Sequence, residues 1–477
     1  MNIEREAPAP LPWWAAAADG ITIVAAALAI IVFVIGGFAL HLGVPIRVHS
    51  AGRLLFIAAA IAALRHVFAP RDPIHRRVAR VFTADRADGV TALAPFTAGV
   101  LLSRIIILIV GYFAVITIGF PDKPPEQVPQ PSLNLALRYD TGWYAGIALD
   151  GYSFQGRFDR QQNLAFFPAY PVLMRAVGHV FGAFTPGISR ERQLVRLSWA
   201  GTVISFLAFA WAAVYFQRLA RDTIGADRAA DAVTLLAAYP FAVFFSAAYS
   251  ESAFLLGVVA AFYHVRRGEF GRATAWGLFV GLLRPNGCFL SVALGCLVVP
   301  AAAERIRARA RPLQASALIA IAAPIAGMLA YSAFVHHVTG SWFGWARLHE
   351  AWGRAYEGLA PATRAYHWIS EEGLVSVVQN MPFDTLNALG LLFAIAMLWP
   401  VARKVGIAYA VFALINIVPP FVAGGVLSMG RLTATLFPLF LALAVIVPRR
   451  AIAPLVTVFA AGQGLAAVLF FTWRQLF

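Results

Sequence analysis

Residues 91–118 read TALAPFTAGVLLSRIIILIVGYFAVITI. A bilayer core takes about 20 consecutive apolar residues as a helix, so this run is long enough to cross it. It leads into residues 119–165, a stretch rich in proline and aromatic residues that holds Arg138-Tyr139-Asp140. A carboxylate delivered to a membrane–water boundary by a long apolar helix sets the terms for the rest of the chain.

Composition agrees. Of 477 residues, 60% are hydrophobic and 13% charged, and the mean hydropathy is +0.73. Soluble domains run about 45–50% apolar and about 25% charged, so a soluble enzyme and a disordered tail are both excluded. The net charge of +15 does not indicate nucleic acid. The basic residues lie in short clusters between apolar runs, as the positive-inside rule expects. Nearly all are arginine, with lysine only at Lys123 and Lys404. Cys288 and Cys296 have neither redox nor zinc spacing, and are read as unpaired thiols. The first 20 residues carry Glu4 and Glu6 and lack a basic leader. They are read as no signal peptide, with the first apolar segment kept as an anchor.

Working outward, segments 21–42 and 53–69 predict a hairpin. The loop 70–90, with Arg71, Arg76, Arg77, Arg80 and Arg86, reads as cytoplasmic. Segment 91–118 then exits, and 119–165 has no basic excess. Segment 166–183 is broken by Pro168 and Pro171, and 196–217 returns to Arg218, Arg221 and Arg228. Segment 231–265 reads as two helices meeting near Tyr249-Ser250-Glu251-Ser252, and 273–300 as two meeting at Arg284-Pro285-Asn286-Gly287. Segment 313–335 exits to a second loop, roughly 336–382, whose Trp342, Trp345, Trp352 and Trp368 predict a helix on the membrane surface. The remaining spans fall at 383–400, 405–424, 432–447 and 451–472. The expectation is an all-α polytopic membrane protein of about 13 transmembrane helices. Two long extracytoplasmic loops carry short interfacial helices. Residues 1–90 are read as an N-terminal hairpin and basic loop, and 91–477 as the main membrane domain.

Five polar clusters sit at the outer ends of apolar helices, where polar groups are costly and so invite a functional reading. The first is Arg138-Tyr139-Asp140 with Gly142-Trp143-Tyr144. Its aspartate either accepts a proton from an attacking hydroxyl or pairs with a nearby arginine. The second, Asn163 to Pro171, includes Phe166 and Phe167 and reads as an aromatic belt or a lipid-tail groove. In the third, Pro240 to Ser252, Glu251 either binds a sugar hydroxyl or a cation, or satisfies backbone amides freed at a helix break. In the fourth, Arg284 lies far from both neighbouring basic clusters, beside helix-breaking Pro285, Asn286 and Gly287. It reads as a phosphate ligand or as the ion-pair partner of Glu251. In the fifth, Ser428 to Phe440, Arg431 opens a span on the outer side. It reads as a second phosphate ligand or as snorkelling to headgroups. No Walker loop, GxSxG elbow, HExxH or Asp-x-Asp is present, and the histidines suggest no metal cage.

These clusters, in this order, resemble the PIG-V family of mannosyltransferases within the GT-C superfamily of integral membrane glycosyltransferases. The likeness covers roughly residues 91–477, with Tyr139 where the family usually has tryptophan. The resemblance implies an inverting enzyme that takes a hexose, here mannose, from a polyprenyl-phosphate donor and passes it to a lipid or glycan hydroxyl. Asp140 corresponds to the family's essential aspartate. Arg138, Tyr139, Trp143, Asn163, Phe166, Phe167, Glu251, Arg284, Asn286 and Arg431 are then substrate-binding residues. Neither cofactor nor metal is expected, and membrane lipids rather than nucleic acid are the surroundings. The Arg-rich, compact loops suggest a bacterial inner membrane with the site facing the periplasm. A competing reading is a transporter or flippase of a polyprenyl-phosphate-linked sugar or another anionic lipid, since helix breaks and buried arginines also suit anion passage.

Overall fold

The computed structural model describes residues 12–35, 38–41, 45–48, 50–69, 93–122, 128–307 and 314–476. The basic loop expected at 70–90 lies outside the described residues. The chain divides into two compact units, residues 1–99 with 179–187, and residues 100–178 with 188–477.

In the first unit, α1 (Trp13–Ile35) and α2 (Ala51–Phe68) pack on each other. Ser50 caps α2 by accepting from the Arg53 N–H at 3.2 Å. The expected helix 21–42 stops earlier. Strands β1 (Phe38–His41) and β2 (Pro45–Val48) pair antiparallel between the two helices, with Phe38 opposite Val48 and His41 opposite Pro45. Apart from this short strand pair the described elements are helical, as expected of an all-α chain. Asp19 and Arg65, both buried, form an ion pair at 2.9 Å between the two helices.

The second unit carries the helices that position the polar clusters. In chain order these are α3 (Leu93–Thr117), α4 (Thr141–Asp150), α5 (Ala169–Val180), α6 (Arg190–Ile224), α7 (Ala226–Ala238) and α8 (Glu251–Arg266). They continue with α9 (Phe270–Gly281), α10 (Leu290–Arg307), α11 (Ala315–Thr339) and α12 (Pro382–Lys404). The last are α13 (Ile407–Gly424), α14 (Met429–Ala434), α15 (Phe437–Ile446) and α16 (Arg449–Phe471). Helices α3 and α5 each begin or end in the first unit.

Among the described residues, seven helices are long and apolar enough to cross a membrane, or eight if one bent pair counts as a span. The expected count of about 13 is therefore too high. The reason is geometric. At about 1.5 Å of rise per residue, a helix needs roughly 20 residues to cross a core of about 30 Å. Several apolar runs are instead cut into shorter pieces. Helix α7 bends by 80° into the 3₁₀ turn Pro240–Ser246. Helix α9 has 12 residues, α8 has 16 and α15 has 10. The span expected at 432–447 is divided between α14 and α15, with Pro438 starting the second piece.

A broken helix leaves backbone carbonyls without partners, and in an apolar interior these must be met from within the protein. Arg104, the lone charge of the 91–118 run, does this at the bend. Its guanidinium is fully buried and donates to the carbonyls of Ala237 and Ala242 at 2.6 Å each. Gln463 of α16 donates to the carbonyls of Ala237 and Tyr239 at 3.1 and 3.0 Å. Around these breaks the core is aromatic. Phe209 stacks on Phe245 at 4.5 Å, and Phe262 contacts Tyr409, Phe412 and Phe437.

Helices α9 and α11 cross with their backbones nearly touching. A Cβ on Gly281 would lie 2.0 Å from the Pro324 carbonyl oxygen, and backbone cannot yield as a side chain can. Gly281→Ala is expected to lose about 1–3 kcal/mol or more through overpacking. Gly271→Ala, where a Cβ meets nothing within 4 Å, serves as the control. Thermal unfolding of the detergent-solubilised variants measures both, and equal midpoints would refute the account.

Candidate active site

Four helix termini or breaks converge on one group of charged side chains. Asp140 stands at the N-cap of α4, and its side chain caps no backbone amide there. Its carboxylate is committed elsewhere. Arg431 Nη1 donates to Asp140 Oδ2 at 2.6 Å. Arg431 Nε donates to Glu251 Oε1, and Arg284 Nη1 donates to that same oxygen at 2.7 Å. The order is Asp140–Arg431–Glu251–Arg284, and its formal charges cancel. Glu251 is fully buried, and its second oxygen, Oε2, has no hydrogen-bond partner among the described residues. Asp140 is 17% exposed at its side chain, and its Oδ1 has no partner among the described hydrogen bonds. One carboxylate thus holds two arginines from inside the protein, and the other meets Arg431 alone, with one oxygen left over among the described hydrogen bonds.

Each group is positioned by local backbone. Tyr139 has φ = 44°, a left-handed conformation uncommon outside glycine. Its hydroxyl donates to the Arg474 carbonyl at 2.8 Å, and its ring packs on Trp473 at 4.5 Å. This turn points the chain so that Asp140 starts a helix. The Asp140 N–H donates to the Tyr249 hydroxyl at 3.1 Å. Arg431 follows Ser428, which has φ = 60°. The Gly430 N–H donates to Asn387 Oδ1 at 2.9 Å, and a Cβ on Gly430 would lie 2.1 Å from the Phe241 ring. The Arg431 guanidinium rests on the Tyr249 and Phe244 rings, at 4.6 and 5.7 Å from their centres. Arg284 sits in extended backbone where Pro285 begins a 3₁₀ turn, and faces the Phe254 ring at 5.6 Å.

The other residues named from sequence divide by position. Trp143 and Phe166 stack on each other at 5.7 Å, and Trp352 closes on both edge-on. Phe167 is 1% exposed and packs on Tyr331 and Trp345, within the protein rather than on a lipid-facing surface. Asn163 pins a loop, accepting from the Ser153 N–H and donating to the Gly151 carbonyl, each at 3.1 Å. Asn286 donates to Asn416 Oδ1 at 2.8 Å, and does not join the charged group. Arg138 turns away, donating to the Phe471 carbonyl at 2.8 Å at the end of α16. Cys288 and Cys296 are free thiols, both partly buried. Among the described residues, no three His, Cys, Asp or Glu side chains gather as a metal site would require.

Two groups escaped the sequence reading. Arg354 donates to the Leu427 carbonyl at 3.2 Å. Burial, with the like charges of Arg431 and Arg284 close by, lowers its guanidinium to about 10, while Asp140 opposes the shift. It is a third arginine beside the cluster, and its place in a loop of mixed charge carried no signal. His349 is the second. Its Nδ1 donates to the Trp345 carbonyl at 2.7 Å, and burial pushes the imidazole down to about 4. A folded value below the ordinary 6.5 means that the unfolded chain binds the proton first. The stability contributed by neutral His349 is complete above pH 6.5 and falls as the pH drops from 6.5 towards 4. The expected slope is about 1.4 kcal/mol per pH unit. His349→Gln should flatten that part of the melting-temperature profile. An unchanged profile would show that His349 is not the group responsible.

Residues 124–340 match the family model described as mannosyltransferase (PIG-V). That stretch contains every site residue named from sequence except Arg431. The crystal structure of ArnT from Cupriavidus metallidurans bound to undecaprenyl phosphate is similar at 13% identity and a TM-score of 0.44, covering 79% of this chain and 77% of that one. No curated protein matches. The match points to a PIG-V-like mannosyltransferase domain over residues 124–340, a little under half of the chain.

Proposed function

We propose that this protein transfers mannose from a polyprenyl-phosphate carrier to a hydroxyl of a lipid or glycan, by a single inverting displacement on the extracytoplasmic face of a bacterial inner membrane. The observation that carries the reading is Asp140 Oδ1. It belongs to a partly exposed carboxylate, has no partner among the described hydrogen bonds, and its sister oxygen is held by Arg431 at 2.6 Å. The outward placement rests on the arginine clusters, which fall in the loops opposite residues 119–165.

In this mechanism Asp140 Oδ1 takes the proton of the acceptor hydroxyl. The acceptor oxygen bonds to the anomeric carbon as that carbon's bond to the phosphate oxygen breaks, and polyprenyl phosphate leaves. The donor phosphate carries one negative charge and the leaving phosphate gains a second. Groups that meet the second charge therefore lower the barrier selectively. Arg431 and Arg284 are assigned to it, with Arg354 beside them. When Arg431 moves towards phosphate, it releases Asp140 to accept the proton. Glu251 anchors both arginines, Trp143 and Phe166 border the sugar, and Arg138, Tyr139, Asn163, Asn286 and Phe167 hold the surrounding backbone.

The test supplies purified protein in lipid with radiolabelled mannosyl-phosphoryl-polyprenol and a host lipid extract. A labelled product is expected. Transfer only from another polyprenyl-linked sugar would keep the mechanism and change the donor. No transfer from any carrier by folded protein would overturn the reading.

A further inference from the structure

On α4, one turn beyond Asp140, a cavity of about 340 Å³ opens between the helix and the loop 151–163. Pockets of about 300–1,000 Å³ take small ligands. Along the helix its floor is Gly142, Trp143 and Gly146. A Cβ at either glycine would meet nothing within 4 Å, so the space is left open by the two missing side chains.

Its walls combine apolar surface from Trp143, Ile147 and Tyr152 with several polar side chains, and carry no free charge. Asp150 lines the cavity, but both its oxygens are taken by Arg190 at 2.9 and 2.6 Å. Gln162 is buried and accepts from the Gln155 N–H at 2.8 Å, while Asn163 ties residues 151 and 153 together. These bonds hold an irregular loop in one shape. The Ser153 hydroxyl and the Gln155 side-chain amide, both lining residues, have no partner among the described hydrogen bonds. Trp143 adds an indole, braced from behind by Phe166.

Amides, a hydroxyl and an indole suit a neutral ligand with many hydroxyls and an apolar ring face. An acyl chain would leave the amides unsatisfied, and no arginine or lysine lines the cavity to receive an anion. We propose that this cavity is the acceptor subsite, and that it binds a sugar ring of a glycan or glycolipid acceptor. The proposal rests on the glycosyl-transfer reading above for its link to Asp140. The rise of the helix puts Trp143 roughly 4.5 Å along the axis from Asp140. A sugar seated there brings one of its own hydroxyls, or that of its neighbour, to the base.

The experiment has two arms, both on the full chain in phosphatidylethanolamine–phosphatidylglycerol nanodiscs. In the first, saturation-transfer NMR reads binding of methyl α-mannoside and methyl α-glucoside to wild type, Gly146→Leu and Gln155→Ala. The leucine fills the cavity from a helical position with free space around it, and Gln155→Ala keeps the proposal testable if the leucine variant misfolds. Binding by wild type with at least fivefold weaker signal in both variants is expected. No signal in wild type, or equal signal in the variants, overturns the subsite. In the second arm, transfer is followed against the concentration of host lipid extract. The apparent acceptor KM of Gly146→Leu is expected to rise at least tenfold with donor KM unchanged. Active transfer with an unmoved acceptor KM overturns the subsite and leaves the enzyme reading intact. Lost glycoside binding in the variant, with no transfer by wild type from any carrier, keeps the subsite and removes the enzyme reading.

Discussion

Asp140→Asn is expected to lower sugar transfer by about 10²–10⁴-fold, the usual cost of losing a general base. The amide has nearly the shape of the carboxylate, and its oxygen still accepts from Arg431. It cannot take a proton. Because Asp140 caps no backbone amide, α4 loses no cap in the variant. The melting temperature should therefore move little, although one charge of the Asp140–Arg431 pair is gone. Initial rates at saturating donor and acceptor, beside a detergent melt, give both numbers. A rate within a few-fold of wild type would remove Asp140 as the base. A collapse of the melt would show that the pair is structural first.

Glu251→Gln carries the second large effect, and its target is stability as well as activity. Glu251 is fully buried and its Oε1 receives both Arg284 and Arg431. Removing one member of a buried ion pair costs about 3–5 kcal/mol, because the remaining charge is left uncompensated. Here two arginines lose their common partner and also repel each other. The single variant should unfold at a clearly lower temperature and lose transfer. Adding Arg284→Gln removes one of the stranded charges. The double variant should therefore be less destabilised than the sum of the two single changes. Additive losses would mean that Glu251 and Arg284 act independently, contrary to their 2.7 Å contact.

Much of this was open to reading in one dimension. The apolar runs, the arginine placement and the helix-breaking prolines all act locally, so they mark segments and their ends. Glu251, Arg284 and Arg431 stood out because each is a charge in an apolar setting that loop-charge bias does not explain. For Arg284, phosphate ligand and partner of Glu251 were both open, and the contact at 2.7 Å realises the second in this structure. The helix count failed because hydropathy measures how apolar a run is, not whether it stays straight. Pro240, Pro285 and Pro438 each stand in the first turn of a new short helix.

What the sequence determined by itself was the solvent and the parts: a membrane environment, the broken helices, and the carboxylates and arginines at their ends. These follow from side-chain transfer energies and from backbone rules that act over a few residues. Only the tertiary structure decided which charge meets which. Arg431 lies 291 positions from Asp140 and 180 from Glu251. Arg138 finds one of its acceptors 333 positions away, at the end of the last helix. Arg104 reaches the bend after α7, and Arg354 comes close to the cluster from a loop. Desolvation makes each of these groups require a partner, and packing alone selects which partner is within reach.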